Sequence, residues 1–349
     1  MLIASSSIAI ASAIICTPIL IASACISRLF STISRFKPVD VSRASFIREM
    51  SEYVRSSIGL TSVWVCGRTV HVLCRYSTVF SNHPPIVIIH GTASGSFNYA
   101  EFMESLPNVY DVYCIDLPGW GISEDPLFDL ETDVLNRCYA YYSNVIMSAL
   151  SEIYPVPNAK FMFVGHSFGA FILLKSIAIG YIPPNCIESC TVASVPGLHL
   201  NTSATQLIGS VFIFGFQESI FKQWWSRHLF SAFLYRKKSQ LQTLQNMHRF
   251  IPEGGGYKLV KKQLKFRFSW FGLLHIVWIN LIRNQIIHVA NNFNVKLIGG
   301  IHDSITNTNH VKEVSAETKI KHYLLEGGHS LFSHKELFSQ LLSIIDDSK

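Results

Sequence analysis

Charge is what this chain has little of. Only 15% of its 349 residues are Asp, Glu, Lys or Arg, against 49% hydrophobic residues, and the formal net charge is +6. No Lys/Arg run is long enough to neutralise a phosphate backbone, so nucleic acid is excluded as a partner. The eight cysteines (16, 25, 66, 74, 114, 138, 186 and 190) show no metal-ligand spacing. Cys186 and Cys190 lie four apart, but no second His or Cys pair answers them nearby. Several cysteines stand in apolar runs, where a thiol is a small buried hydrophobe, and the expectation is reduced thiols in a reducing compartment. Internal repeats and low-complexity segments are also lacking.

A long stretch without charge lies at the N-terminus, where Leu2 to Ser27 carries none. About twenty apolar residues suffice to cross a bilayer as a helix, and residues 1–27 read as a single-pass anchor. Arg28, Arg35, Lys37, Arg43 and Arg48 follow the span and no Lys or Arg precedes it. The positive-inside rule then keeps the body of the chain cytosolic. A cleaved signal peptide, with Ala22-Ser23-Ala24 near the cut and a lumenal or secreted body, is the competing reading. A buried core helix is the third. The sequon Asn201-Thr202-Ser203 separates the first two topologies, since it is a glycosylation acceptor only outside the cytosol.

Residues 28–58 read as a polar-to-amphipathic connector. Val63–Val65 and Val70–Leu73 alternate like a hairpin turned at Cys66-Gly67-Arg68. Five further apolar runs suit strands buried on both faces: 85–89, 111–116, 161–164, 189–193 and 295–299, and 321–325 makes a sixth. Helical spacing falls between them, over 98–106, 131–152, 168–180, 307–316 and 330–345. Strands alternating with helices imply a mostly parallel sheet covered on both faces. Residues 198–290 break the rhythm with aromatic-rich helical segments around Gly254-Gly255-Gly256, and read as a helical cap inserted between core segments 59–197 and 291–349.

The chemistry gathers where strands end, because functional groups collect at the carboxyl edge of a parallel sheet. Gly165-His166-Ser167-Phe168-Gly169 lies between a strand pattern and a helix pattern. A serine in so sharp a turn needs small neighbours two residues away on either side. His166 is expected to pack or hydrogen-bond locally. His90-Gly91-Thr92-Ala93-Ser94-Gly95-Ser96 follows the strand at 86–89, and the amide of Thr92 or of Ala93, with that of Phe168, can face a developing oxyanion. Asp116-Leu117-Pro118-Gly119-Trp120-Gly121-Ile122-Ser123 forms a compact turn that Asp116 is expected to hold through backbone hydrogen bonds. The strand at 295–299 leads to His302 and Asp303, the former expected to be structural and the latter to orient an imidazole. The strand at 321–325 leads through Gly327-Gly328 to His329. A serine hydroxyl needs a base to become nucleophilic, and the base needs an acid to hold its tautomer.

Ser167, Asp303 and His329 follow one another in the order of an α/β-hydrolase triad. Through HGTASGS, DLPGWGIS, GHSFGA, GIHD and EGGHS the chain resembles the α/β-hydrolase superfamily of serine hydrolases over about Val63 to Leu342. It looks most like the membrane-anchored monoacylglycerol-lipase and lysophospholipase-like members. That resemblance implies an eight-stranded, mostly parallel sheet, a lid after the sixth strand, no metal or organic cofactor, and catalytic roles for Ser167, Asp303 and His329. The residue five after His329 is His334, not the aspartate of H-x-x-x-x-D acyltransferases, so acyl transfer is not expected. Serine in place of aspartate at 167 argues against epoxide-hydrolase and dehalogenase chemistry.

The expected substrate is a lipid ester. Phe212, Phe214, Phe216, Trp224 and Trp225 crowd one part of the cap, and Lys258, Lys261, Lys262, Lys265 and Arg267 interleave with aromatics in another. Such surfaces suit acyl chains and an anionic bilayer interface. A carbon–carbon bond hydrolase or thioesterase on the same triad, and an inactive lipid-binding adaptor, are the alternatives.

Overall fold

The computed structural model describes residues 43–57, 59–91, 94–124, 136–195, 287–289, 292–303, 306, 308–318 and 320–346. The anchor expected over 1–27 and all but three residues of the cap expected over 198–290 lie outside them, as do Thr92, Ala93 and Asn201.

The strands are β1 (Leu60–Val65), β2 (Val70–Arg75), β3 (Ile86–Ile89), β4 (Val112–Ile115), β5 (Phe161–His166), β6 (Ile187–Ala193), β7 (Val295–Gly300) and β8 (Lys321–Leu325). They form one eight-stranded sheet in the order β1-β2-β4-β3-β5-β6-β7-β8. Only β2 runs against its neighbours, pairing antiparallel with β1 and β4, and every pair from β4/β3 to β7/β8 is parallel. β6 and β7 pair directly, Cys190 opposite Val295, so the segments on either side of residues 198–290 share one sheet.

Among the described residues the helices include α1 (Arg43–Ser56), α2 (Ala100–Ser105), α3 (Asn136–Ile153), α4 (Phe168–Ala178), α5 (Thr308–Thr318) and α6 (Phe338–Asp346). The continuous apolar runs are explained by helices on both faces. Val87, Ile89 and Phe163 join the core layer that holds Tyr142, Ile146 and Leu173, from α3 and α4. Ile86, Ile88, Met162 and Val164, one residue out of phase, join the layer that holds Phe102, Phe338 and Leu341, from α2 and α6.

Two readings shift. The connector range contains a helix, α1. The helical pattern at 330–345 is broken into single turns, Leu331–Ser333 and Lys335–Leu337, before α6 begins, with His334 extended between them. The break lets Phe332 bury its ring against Tyr99 and Phe102 while the chain behind it carries His329.

Lys296 is the one charge in the β7 run, and it is fully buried. Its Nζ donates to the carbonyls of Ile344 (2.7 Å) and Ile345 (3.2 Å), capping the last turn of α6. Lys296→Met keeps the volume and removes the donors, so it is expected to cost about 1–3 kcal/mol. A melting temperature unchanged or raised would mean that burying the ammonium cancels what its two bonds contribute.

Candidate active site

Ser167 sits between the end of β5 and the start of α4, with φ +52° and ψ −117°. Its amide donates to the carbonyl of Ala193 (2.9 Å) and its carbonyl accepts from Phe171 (3.1 Å), so strand and helix together hold the unusual backbone. The flanking glycines are required by close approach. A Cβ on Gly165 would stand 2.5 Å from Ala170 Cα, and one on Gly169 2.2 Å from the Ile89 carbonyl oxygen. Phe168 is the first residue of α4, where amides have no acceptor within the helix. Gly91 lies alongside, since a Cβ there would be 3.1 Å from Ser167 Cβ. The amide of Phe168 thus belongs to a described residue, and the Thr92 or Ala93 choice falls just beyond Gly91, outside the described range.

His329 and Asp303 reach this turn from the ends of β8 and β7. Ser167 Oγ and His329 Nε2 are 3.0 Å apart, and His329 Nδ1 lies 3.0 and 3.2 Å from the two Asp303 carboxylate oxygens. The carboxylate only accepts, so Nδ1 carries the proton and leaves Nε2 free to accept from the serine hydroxyl. Thr306 adds its amide (2.9 Å) and its hydroxyl to the same carboxylate. The Asp303 side chain is 1% exposed. Burial works to raise its pKa, but the hydrogen bond and charge of His329 and the two Thr306 bonds outweigh it and hold the carboxyl well below the usual range. It is therefore an ionised acceptor across the neutral range. All three triad candidates are brought together from three strand ends.

The loops around them are braced by histidines. His90 is buried and accepts from the Leu117 amide at Nε2 (3.0 Å), so Nδ1 donates to Gly91 O (2.8 Å). Asp116 does hold its turn, accepting from the amides of Ser96 and Ile122. It also meets His71 Nδ1 at 2.9 Å, both side chains being fully buried. This pair was missed, though a lone histidine in Val70-His71-Val72 was a visible signal. His302 is half-exposed on the surface and pairs with Glu326 at 3.0 Å. His166 bonds far from home in sequence, to Tyr99 and to the main chain of His329.

Burial alone would raise the Asp116 pKa, but the His71 hydrogen bond and the Ser96 amide help to leave it lowered. A depressed folded pKa contributes stability that is whole above the unfolded value, about 3.9, and is lost as pH falls through the folded one. Asp116→Asn is expected to be less stable at pH 7 by about 1–3 kcal/mol. It should also lose less than the wild type on acidification from pH 5 to pH 3. Parallel melting temperatures over that window would contradict this.

A family model described as alpha/beta hydrolase fold matches residues 84–212. The Abhydrolase domain-containing protein abhd-5.2 of Caenorhabditis elegans is 28% identical over 120 residues. That match covers 33% of this chain and 24% of the relative, so the chain spans about a quarter of its length. Among solved structures, the lipase candidate Lip1 of Acinetobacter baumannii AYE superposes with a TM-score of 0.62 at 15% identity, covering 88% of this chain and 95% of that one. A membrane phospholipase A described as a bacterial virulence factor gives 0.58 at 16%, covering 95% and 98%. Haloalkane dehalogenase DbeA-M1 of Bradyrhizobium elkanii, a loop variant, gives 0.57 at 13%, covering 84% and 97%. Likenesses this distant in sequence, spread over different chemistries, speak to the fold alone.

Proposed function

From a chain with the α/β-hydrolase fold, we propose a serine hydrolase that cleaves carboxylic esters of lipids through an acyl-enzyme. The observation that carries it is the continuous line of hydrogen bonds Ser167 Oγ–His329 Nε2 and His329 Nδ1–Asp303. Ser167 Oγ attacks the acyl carbonyl while His329 Nε2 takes its proton. The tetrahedral oxyanion accepts from the Phe168 amide and from that of Thr92 or Ala93. His329 returns the proton to the leaving alkoxide, and the acyl group stays on Ser167. Water, deprotonated by the same imidazole, attacks the acyl-enzyme and releases the acid. Asp303 stays ionised and stabilises the imidazolium.

Lipid specificity, of the monoacylglycerol or lysophospholipid kind, rests on sequence. The uncharged residues 2–27 would hold the catalytic body at a membrane on its cytosolic side, and the aromatic, basic stretch 198–290 would receive the acyl chain. A matched panel tests this: glycerol monoesters and lysophospholipids of C4 to C18 acyl length in mixed micelles, with soluble esters and thioesters beside them. Long-chain oxygen esters are expected to exceed short soluble ones in kcat/KM by about tenfold or more, the return on burying several methylenes at about 0.8 kcal/mol each. Equal rates on short and long chains would remove the lipid assignment, and faster thioesters would move the reaction class.

A further inference from the structure

His166 directly precedes Ser167, and its ring bridges two distant parts of the site. Nε2 is 2.7 Å from the main-chain oxygen of His329, and Nδ1 is 2.9 Å from the Tyr99 hydroxyl. A carbonyl only accepts, so Nε2 carries the proton and donates to it. The neutral ring then accepts from the Tyr99 hydroxyl at Nδ1. Ser194 donates its hydroxyl to the same His329 oxygen at 3.3 Å. It does so from a left-handed backbone, φ +52°, anchored by its amide to Ile298 O (2.9 Å). His166 is 7% and Ser194 1% exposed. Donors at the ends of β5 and β6 thus converge on one carbonyl, and that carbonyl belongs to the candidate base. Phe332 packs its ring against His166 (5.9 Å between centroids) and Tyr99 (5.4 Å), clamping the loop from its far end.

We propose that His166, seconded by Ser194, is a positioning residue: it fixes the His329 peptide so that the imidazole spans Ser167 and Asp303. His329 lies on a loop, outside β8 and before the first helical turn, so no ladder of backbone bonds sets its orientation. Rotation of that peptide swings the Cα–Cβ bond, and a displacement of about 1 Å at a reacting atom costs about a hundredfold in rate. Tyr99 contributes by holding His166 in the tautomer that donates. The inference rests on the reading of Ser167, His329 and Asp303 as a triad, and deepens it.

Two amide substitutions separate positioning from filling. Glutamine places an N–H where imidazole has Nε2, and asparagine reaches only to the level of Nδ1. With a water-soluble nitrophenyl ester, His166→Asn is expected to lower kcat by about 10- to 100-fold with KM changed by less than about twofold. His166→Gln should recover most of that loss. Ser194→Ala should lower kcat less, and the double variant with His166→Asn should fall short of the product of the single losses, since both donors serve one atom. Melting temperatures identify any variant that fails to fold. If His166→Asn is one, Ser194→Ala and the Gln variant still decide. Asn and Gln variants that behave alike would overturn the proposal, as would multiplicative losses in the double variant. A readout independent of turnover is the low-field proton resonance of His329 Nδ1–H bonded to Asp303. It should persist in the wild type and His166→Gln and vanish in His166→Asn. A wild type that never turns over would sink the triad reading, and that resonance would still decide the positioning: unchanged in all three proteins, it overturns it.

Discussion

Ser167→Ala is expected to abolish covalent labelling by a fluorophosphonate probe and to lower ester hydrolysis by about 10⁴-fold or more. The probe needs what the site provides: a hydroxyl 3.0 Å from an imidazole nitrogen whose other nitrogen is tied to a carboxylate. A buried, ionised Asp303 keeps the His329 proton on Nδ1, so the serine meets a lone pair and not a competing N–H. The fold should be untouched, because alanine meets the same backbone at φ +52° that serine already tolerates. The residual rate would report oxyanion stabilisation and binding alone. Labelling that persists in the variant would place the nucleophile elsewhere. A folded wild type that never labels, even with detergent present to open a lid, would favour the inactive lipid-binding adaptor.

Gly169→Ala sets two effects of opposite sign against each other. Gly169 lies in the first turn of α4, and helix propensity alone predicts a gain of about 1 kcal/mol from alanine. The added Cβ, however, would stand 2.2 Å from Ile89 O, 2.5 Å from His90 O and 2.7 Å from Ile89 C. These are backbone atoms at the end of β3, which is paired on both sides by β4 and β5 and has no room to retreat. The helix must move instead, carrying the Phe168 amide and the Ser167 turn with it. Overpacking of this kind costs about 1–3 kcal/mol and occasionally more, so the net change is expected to be a loss. At about 2–4 °C per kcal/mol for a chain of this size, it is visible in a melting curve. Probe labelling should fall with it. A stabilised, fully labelled variant would mean that α4 is free to slide on β3 and that the turn is not held by contact.

Much of this was legible in the residues. The central strands were visible because a strand buried on both faces is almost wholly apolar, as at 86–89 and 161–164, and the hairpin at 60–75 because its turn is short. Ser167 was marked by its glycines, Asp303 and His329 by the strand ends that precede them. The boundaries of the last helix were not, since Phe332 needs a partner, Tyr99, that is far away in the chain.

What the sequence determined by itself is local and periodic: which runs are strands, which are helices, and that a serine, an acid and a histidine stand at strand ends in a telling order. The tertiary structure alone decided which distant groups meet. Lys296 under the end of α6, His71 against Asp116, and His166 with Ser194 on the carbonyl of His329 are all pairings of polar groups in buried places. A buried polar group must find a partner, but its identity is set by sheet order and loop path. Periodicity along the chain carries the burial of each residue and not the neighbour it is buried against.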